Sequence, residues 1–276
     1  MNTIRTQQNV NRTCPLCSAD NAAAPPARYS RESWLIKVCG PCGFVYLENP
    51  PDYAELQTQW PWEKTYAAEL ERRRRVEPWF QRLATFTNRL WGRVFRRDKL
   101  TPLLRRYFAQ GAVVDVGCGR GNSLRRLGEL GFVPCGVEIS KALAEQAAAA
   151  AVSFGGRVIA GNAIESLDRF PDRSFTGAIL ISFLEHECNP LRLLVKIRHK
   201  LVESGSVIIK VPNFGCLNRW VRGRQWCGFR FPDHVNYFTP GALREMVGRA
   251  GFSVARFSLR DRFPLSDNMW MVCRNT

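Results

Sequence analysis

The stretch Val113-Val114-Asp115-Val116-Gly117-Cys118-Gly119-Arg120-Gly121-Asn122 decides the fold. A short β-branched run ends in an acid and passes into a loop with glycine at every second position. That pattern predicts a buried strand, a tight turn and a helix start. Glycines at 117, 119 and 121 admit positive φ and leave no Cβ between the loop and a ligand. A dinucleotide-binding fingerprint would place its third glycine at position 122, which is Asn122. Asp115 would repel a pyrophosphate, whereas it suits a cationic ligand.

Downstream, strand-like and helix-like segments alternate. Ser123–Leu130 reads as a helix and Phe132–Ile139 as a strand, with Glu138 near its tip, 23 residues after Asp115. That is close to the offset of about 20 residues at which an acid on the second strand meets ribose hydroxyls. Two hydroxyl donors on one carboxylate make a charge-assisted, bidentate contact. Lys141–Ala151 is an alanine-rich helix, and Arg157–Ala160 a third strand followed by Gly161-Asn162-Ala163. Phe175–Phe183 is nearly all apolar, as a central parallel strand covered on both faces should be. Asn189-Pro190 opens the next helix, with proline where it is tolerated. Leu201–Pro212 reads as a helix end, a glycine turn and a fifth strand. Pro240–Ala250 is a helix, and Ser253–Leu259 with Asn268–Cys273 an antiparallel pair. The fold class is therefore α/β: a Rossmann-like, seven-stranded, mostly parallel sheet with helices on both faces.

The acid-and-glycine stretch resembles motif I of the class I S-adenosylmethionine-dependent methyltransferases, over about Ala112–Arg274. The resemblance implies S-adenosyl-L-methionine as cofactor, its amino-acid end held by Asp115 and by Gly117, Cys118, Gly119 and Gly121. Glu138 and Ile139 would then meet the ribose. Asn162 and Ala163 fall where the family commonly has an Asp for the adenine amino group, and the Asn162 carbonyl can accept that bond without charge. Ser182 and Phe183 would face the transferred methyl, because ligands sit beyond the carboxyl ends of parallel strands.

Leu184-Glu185-His186 resembles the small-molecule branch that places Glu-His after the fourth strand. His186 suits removal of a proton from a hydroxyl acceptor, with Glu185 beside it and His234 as a second candidate base. A packing or capping role for His186 stays open. Asn213–Thr239 is long and aromatic, with Trp220, Trp226, Phe229, Phe231 and Tyr237 among several arginines. Such a loop is usually functional. Two readings stand: aromatics that bind a planar or anionic acceptor, and a hydrophobic lid over the cofactor. No Asn-Pro-Pro-aromatic motif follows the fourth strand, which weighs against adenine-amino or glutamine methylation. Nor is there a Pro-Cys or Thr-Cys nucleophile there, which weighs against cytosine C5 methylation.

Ahead of this domain, Cys14-x2-Cys17 and Cys39-x2-Cys42 are separated by 21 residues. Each pair can clasp one side of a tetrahedral zinc, and four sulfurs leave no open position, so the site should be structural. The expected organisation is a small N-terminal zinc ribbon over 1–51, a helical basic connector over 52–110 and a methyltransferase domain over 111–276. Ribbon strands are expected at Trp34–Val38 and Phe44–Leu47, with Asn49-Pro-Pro-Asp52 as the closing turn. In the connector, Glu69, Arg72 and Arg73 can pair along one helix face, and Trp79, Leu83, Phe86 and Leu90 form an apolar stripe.

Net charge is +16, and 13 Lys and Arg against 5 Asp and Glu place half of it between Trp62 and Arg106. Such a field favours acidic partners: an anionic or small-molecule acceptor, lipid headgroups at a membrane surface, or nucleic acid. A solvated helix face that only keeps the protein soluble would look the same. No apolar run approaches the ~18 residues of a membrane span, and Met1–Val10 has no apolar core, so a soluble, cytoplasmic protein is expected. Two functions from this sequence compete. One is methyl transfer to a hydroxyl on a small-molecule, sugar or lipid-linked acceptor. The other is an RNA methyltransferase gripping phosphates with the ribbon and connector.

Overall fold

The computed structural model describes residues 12–52, 55, 70–72, 75 and 98–276. In chain order its elements begin with β1 (Ile36–Val38), β2 (Val45–Leu47) and α1 (Leu100–Tyr107). Then come β3 (Ala112–Val116), α2 (Asn122–Glu129), β4 (Val133–Glu138), α3 (Lys141–Val152), β5 (Arg157–Ala160) and α4 (Ala163–Leu167). β6 (Phe175–Ile181), α5 (Pro190–Lys200), β7 (Leu201–Pro212) and α6 (Leu217–Arg222) follow. β8 (Asn236–Tyr237), α7 (Pro240–Arg249), β9 (Phe252–Arg256) and β10 (Asn268–Asn275) complete the chain.

Seven strands form one sheet in the order β5-β4-β3-β6-β7-β10-β9. Neighbours run parallel except β10, which is antiparallel to both β7 and β9. Alternation along the central strands decides what each face buries. Ala178 and Leu180 join Val207 and Ile209 on one face, against Leu193 and Ile197 of α5 and Leu243 and Met246 of α7. Ile179 and Ile208 face the other way, into Leu103 and Leu104 of α1, Leu124 and Leu127 of α2, and Ala147 of α3. Strands buried on both faces must read as continuous apolar runs, as β6 does.

The segment over Leu201–Pro212 departs from expectation. It is strand throughout, and no turn divides it. Ser204 takes φ 61°, and the β6–β7 ladder shifts register between Phe175 and Gly177. The Ser-Gly turn signal is spent on an irregularity inside a strand.

The second sheet is small, with order β1-β2-β8. β1 and β2 form the expected hairpin, with Cys39 and Cys42 in the turn that joins them, and β8 pairs with β2 through Val45↔Tyr237 and Tyr46↔Asn236. The third strand thus comes from the Asn213–Thr239 segment, nearly two hundred residues further along the chain, and covers an edge the hairpin would otherwise expose. Asn49 does end the hairpin: its Oδ1 accepts from the Leu35 N–H and its Nδ2 donates to the Ser33 carbonyl.

A third apolar cluster joins the two sheets. Trp34, Ile36 and Leu47 of the hairpin region pack with Phe214, Trp226 and Phe229. Tyr29 stacks on Phe229 at 4.8 Å between ring centroids. Trp226 and Phe229 are each only 1% exposed. Trp226 and Phe229 are therefore not the acceptor wall expected of them: they are part of the core that fixes the hairpin to the large domain. Of the connector expected over Asp52–Gln110, α1 is described. Glu69, Arg73, Trp79, Leu83, Phe86 and Leu90 lie outside the described residues.

Candidate active site

The order of the large sheet reverses between β3 and β6, so a crevice opens beyond their carboxyl ends. A cavity of about 970 Å³ occupies it. Its first end is built by the turns after β3 and β4. Gly117, Gly119 and Gly121 have φ of 77°, 53° and 81°, conformations that side chains with a Cβ seldom take. The Gly117 and Cys118 amides both donate to the Val137 carbonyl, at 2.8 and 3.1 Å, tying the loop to β4. A Cβ on Gly117 would lie 2.2 Å from the Phe183 ring, which closes over the loop from the end of β6.

Glu138 is held rigidly. Its Oε2 accepts from the Gly119 N–H at 2.9 Å and its Oε1 from the Ser140 N–H at 3.0 Å. A carboxylate fixed by main-chain donors keeps its remaining lone pairs aimed at the cavity it lines. Asp115 is buried at the tip of β3, 3% exposed. Burial, and then the nearby Glu138 charge, push it up to about 7, while the Ser123 side chain pulls it down. A buried carboxylate in this state gains from a cationic group placed against it.

Cys118, Ile139, Ala163, Ser182 and Phe183 also line the cavity. Asn162 does not; its flanking residues Gly161 and Ala163 do. Its Oδ1 caps α4, accepting from the Ile164 N–H at 2.9 Å and the Glu165 N–H at 3.4 Å. Asn162 is thus a helix cap by position and by bonding; Asp115 and Gly121 are likewise not among the lining residues.

The far end of the cavity is polar. Donor atoms of Glu185, His186 and His234 lie within 4.8 Å of one another, and the two rings meet edge to face at 4.7 Å. The His186 Nδ1 pairs with the Asp233 carbonyl at 2.9 Å and the His234 Nδ1 with the Gly228 carbonyl at 2.8 Å. A carbonyl only accepts, so in each neutral ring the proton sits on Nδ1 and the lone pair on Nε2. Burial lowers His186 to about 4; the Asp233 charge opposes this and Arg230 adds to it. Burial raises Glu185 to about 8, against the pull of its own main-chain amide, Lys210 and Arg230. Among the described residues the buried Glu185 Oε2 has no hydrogen-bond partner. Such an atom is costly unless a ligand or a proton completes it.

Residues that the sequence did not single out hold this end in place. Asn236 on β8 donates from Nδ2 to the Leu184 and Glu187 carbonyls, at 2.9 and 2.7 Å, and its Oδ1 accepts from Arg12 at 2.7 Å. The Glu185 carbonyl accepts from the Val235 and Asn236 amides. Arg230 pairs with Asp233 at 2.6 Å. The Leu-Glu-His turn therefore hangs on the strand that completes the small sheet. Only the Arg230–Asp233 spacing of three carried a local signal; the Asn236 contacts span 52 and 49 residues to Leu184 and Glu187 and 224 to Arg12.

Away from the cavity, Cys14 and Cys42 sulfurs are 3.6 Å apart and Cys17 and Cys39 sulfurs 3.4 Å. Four sulfurs at ~2.3 Å from a tetrahedral zinc stand about 3.8 Å from one another. All four lie within 4.8 Å of one another, so the donor set fits that ion. Among the described residues no helix is long and apolar enough to cross a membrane.

Residues 70–256 match the family described as "Methyltransferase domain". No curated protein matches the chain in sequence. Among solved structures, a SAM-dependent methyltransferase of Archaeoglobus fulgidus is 20% identical with TM-score 0.53, over 70% of this chain and 99% of its own. A protein of Pyrococcus horikoshii is 21% identical with TM-score 0.53, over 65% of this chain and 89% of its own. A SAM-dependent methyltransferase of Methanosarcina mazei is 19% identical with TM-score 0.50, over 63% and 96%. At such identities these likenesses establish a shared fold.

Proposed function

This chain belongs to the methyltransferase-domain family and is an S-adenosylmethionine-dependent methyltransferase; from that premise we propose that its acceptor is a hydroxyl on a small-molecule, sugar or lipid-linked compound. The observation that carries this reading is the Glu185–His186–His234 corner, which shares one cavity with the glycine loop and Glu138.

Bound S-adenosyl-L-methionine supplies a methyl already activated on a sulfonium, so the chain's work is chiefly alignment. Asp115 and the 117–121 loop hold the cationic amino-acid end, and Glu138 with Ile139 the ribose. Ser182 and Phe183 border the path between the two ends. His186 is neutral at physiological pH, and its Nε2 is the atom that takes the acceptor proton; His234 is the alternative base. Glu185, held in its protonated form by burial, stands beside both rings and ionises more readily once an imidazolium forms next to it. Cys14, Cys17, Cys39 and Cys42 hold a structural zinc that folds a segment too small to bury a core alone. A cavity near the top of the usual ~300 to 1,000 Å³ range has room for both cofactor and acceptor.

Purified protein with cofactor labelled on the methyl group, incubated with cell extract and split into RNA, lipid and small-molecule fractions, tests this. Label in the lipid or small-molecule pool is expected. Label confined to RNA would overturn it.

A further inference from the structure

Six of the large apolar side chains exposed among the described residues come from two segments. Leu217, Trp220 and Val221 lie on α6, at 50%, 64% and 80% exposure; Leu259, Phe263 and Leu265 lie between β9 and β10, at 70%, 52% and 58%. The two segments touch. The Leu217 N–H donates to the Pro264 carbonyl at 2.8 Å, and the Asn218 Nδ2 to the Leu265 carbonyl at 3.2 Å. They form one apolar face, of a kind that monomeric proteins seldom leave to water.

Its charge is one-sided. Arg222 ends α6 and Arg224 follows it, and Arg260 and Arg262 sit in the other segment. The neighbouring acids are already engaged: Asp261 by Arg256 at 3.0 Å, and Asp267 by the Trp226 Nε1 at 2.8 Å. An indole, a phenyl ring and aliphatic chains on segments that also carry four arginines match the boundary of an anionic bilayer, where rings enter the interface and guanidinium groups meet phosphates. The face also adjoins the cavity, since both segments run directly into lining residues, Cys227 after Trp226 and Asp267 before β10.

We propose that α6 and the 259–265 loop are a membrane-docking face that seats the mouth of the active site on an anionic lipid surface. Docking there serves catalysis only if the acceptor is lipid-linked, as one form of the reading above has it, yet vesicle binding can be measured with no acceptor at all.

The test is co-sedimentation of the full chain with vesicles of phosphatidylcholine alone or mixed with phosphatidylglycerol. Wild type, Trp220→Asp and the pair Trp220→Asp/Phe263→Asp are compared, and S-adenosylhomocysteine binding checks that each is folded. Wild type should bind the mixed vesicles and not the neutral ones. The double variant should lose on the order of a hundredfold in partitioning, with S-adenosylhomocysteine affinity unchanged. Failure of wild type to bind mixed vesicles would overturn the proposal. So would equal binding by the double variant, which would move the grip to the basic stretch over 62–106. A wild-type dimer that the substitutions convert to monomer would instead assign the face to a second copy. Vesicle binding lost in the variant while methyl label goes to RNA would leave docking intact and remove the lipid-linked acceptor.

Discussion

At one end of the cavity, Gly117 and Glu138 line the wall and Asp115 is buried nearby; all three belong to two adjacent parallel strands and the turns that follow them, and the bonds that fix Gly117 and Glu138 run between neighbours in that unit. At the other end, Glu185, His186 and His234 depend on β8, on Arg12 and on a hairpin organised by four cysteines. The first end is a local product of a βαβ unit. The second is assembled from three distant parts of the chain, so it should be separable from the first by mutation.

Gly117→Val should break the first end outright. The backbone there has positive φ, and the new Cβ would lie 2.2 Å from Phe183. S-adenosylhomocysteine affinity, measured by calorimetry, should fall on the order of a hundredfold or more.

Cys39→Ser should break the second end. Loss of one of the four clustered sulfurs, ligands of the proposed zinc, should cost roughly 3 kcal/mol or more in thermal unfolding. Methyl transfer should be lost, while S-adenosylhomocysteine affinity in the folded fraction stays within about twofold of wild type, given that its ligands sit on rigid elements elsewhere. A finer probe is Asn236→Ala, which strips the two donors from the Leu184 and Glu187 carbonyls. It should cost about 1 to 3 kcal/mol and lower turnover with little effect on cofactor affinity.

Asp115 supplies a pH signature confined to the first end. Its pKa is raised to about 7 in the empty protein, so between the ordinary carboxylate value and 7 the folded state holds a proton that the unfolded state has released. Stability of the empty protein should therefore fall as pH rises through that window. In the proposed role of Asp115 cofactor binding needs the ionised form, so affinity should rise with pH up to about 7 and then level. Asp115→Asn should flatten both profiles in calorimetry and thermal melts. The smallest effect belongs to Asn162→Ala, which removes the α4 cap at about 1 kcal/mol. Cofactor affinity should hardly change, and Asn162→Asp should restore the lost stability.

The same division explains what could be read from residue order. The strand-glycine-helix unit, Glu138 at its offset and the apolar β6 are short-range patterns, and each stands where it was expected. The two cysteine pairs converge as their spacing implied. Trp226, Phe229 and Tyr237 were legible as an unusual cluster, but not as core, because burial among Tyr29, Trp34 and Ile36 depends on pairing across the length of the chain. The capping bonds of Asn162 were not legible, because an amide beside a strand end can serve a ligand or cap a helix. Ser204-Gly205 likewise carries turn chemistry that a strand used for a bulge.

The separability of the two ends is tested most directly by amide hydrogen exchange on wild type and Cys39→Ser, each with S-adenosylhomocysteine bound. Loss of protection in Cys39→Ser is expected at the amides of Leu47, Val235 and Asn236, with Gly117, Cys118 and Gly119 protected as in wild type. Equal loss at the glycine loop, or unchanged protection at Val235 and Asn236, would contradict a second end braced by the hairpin.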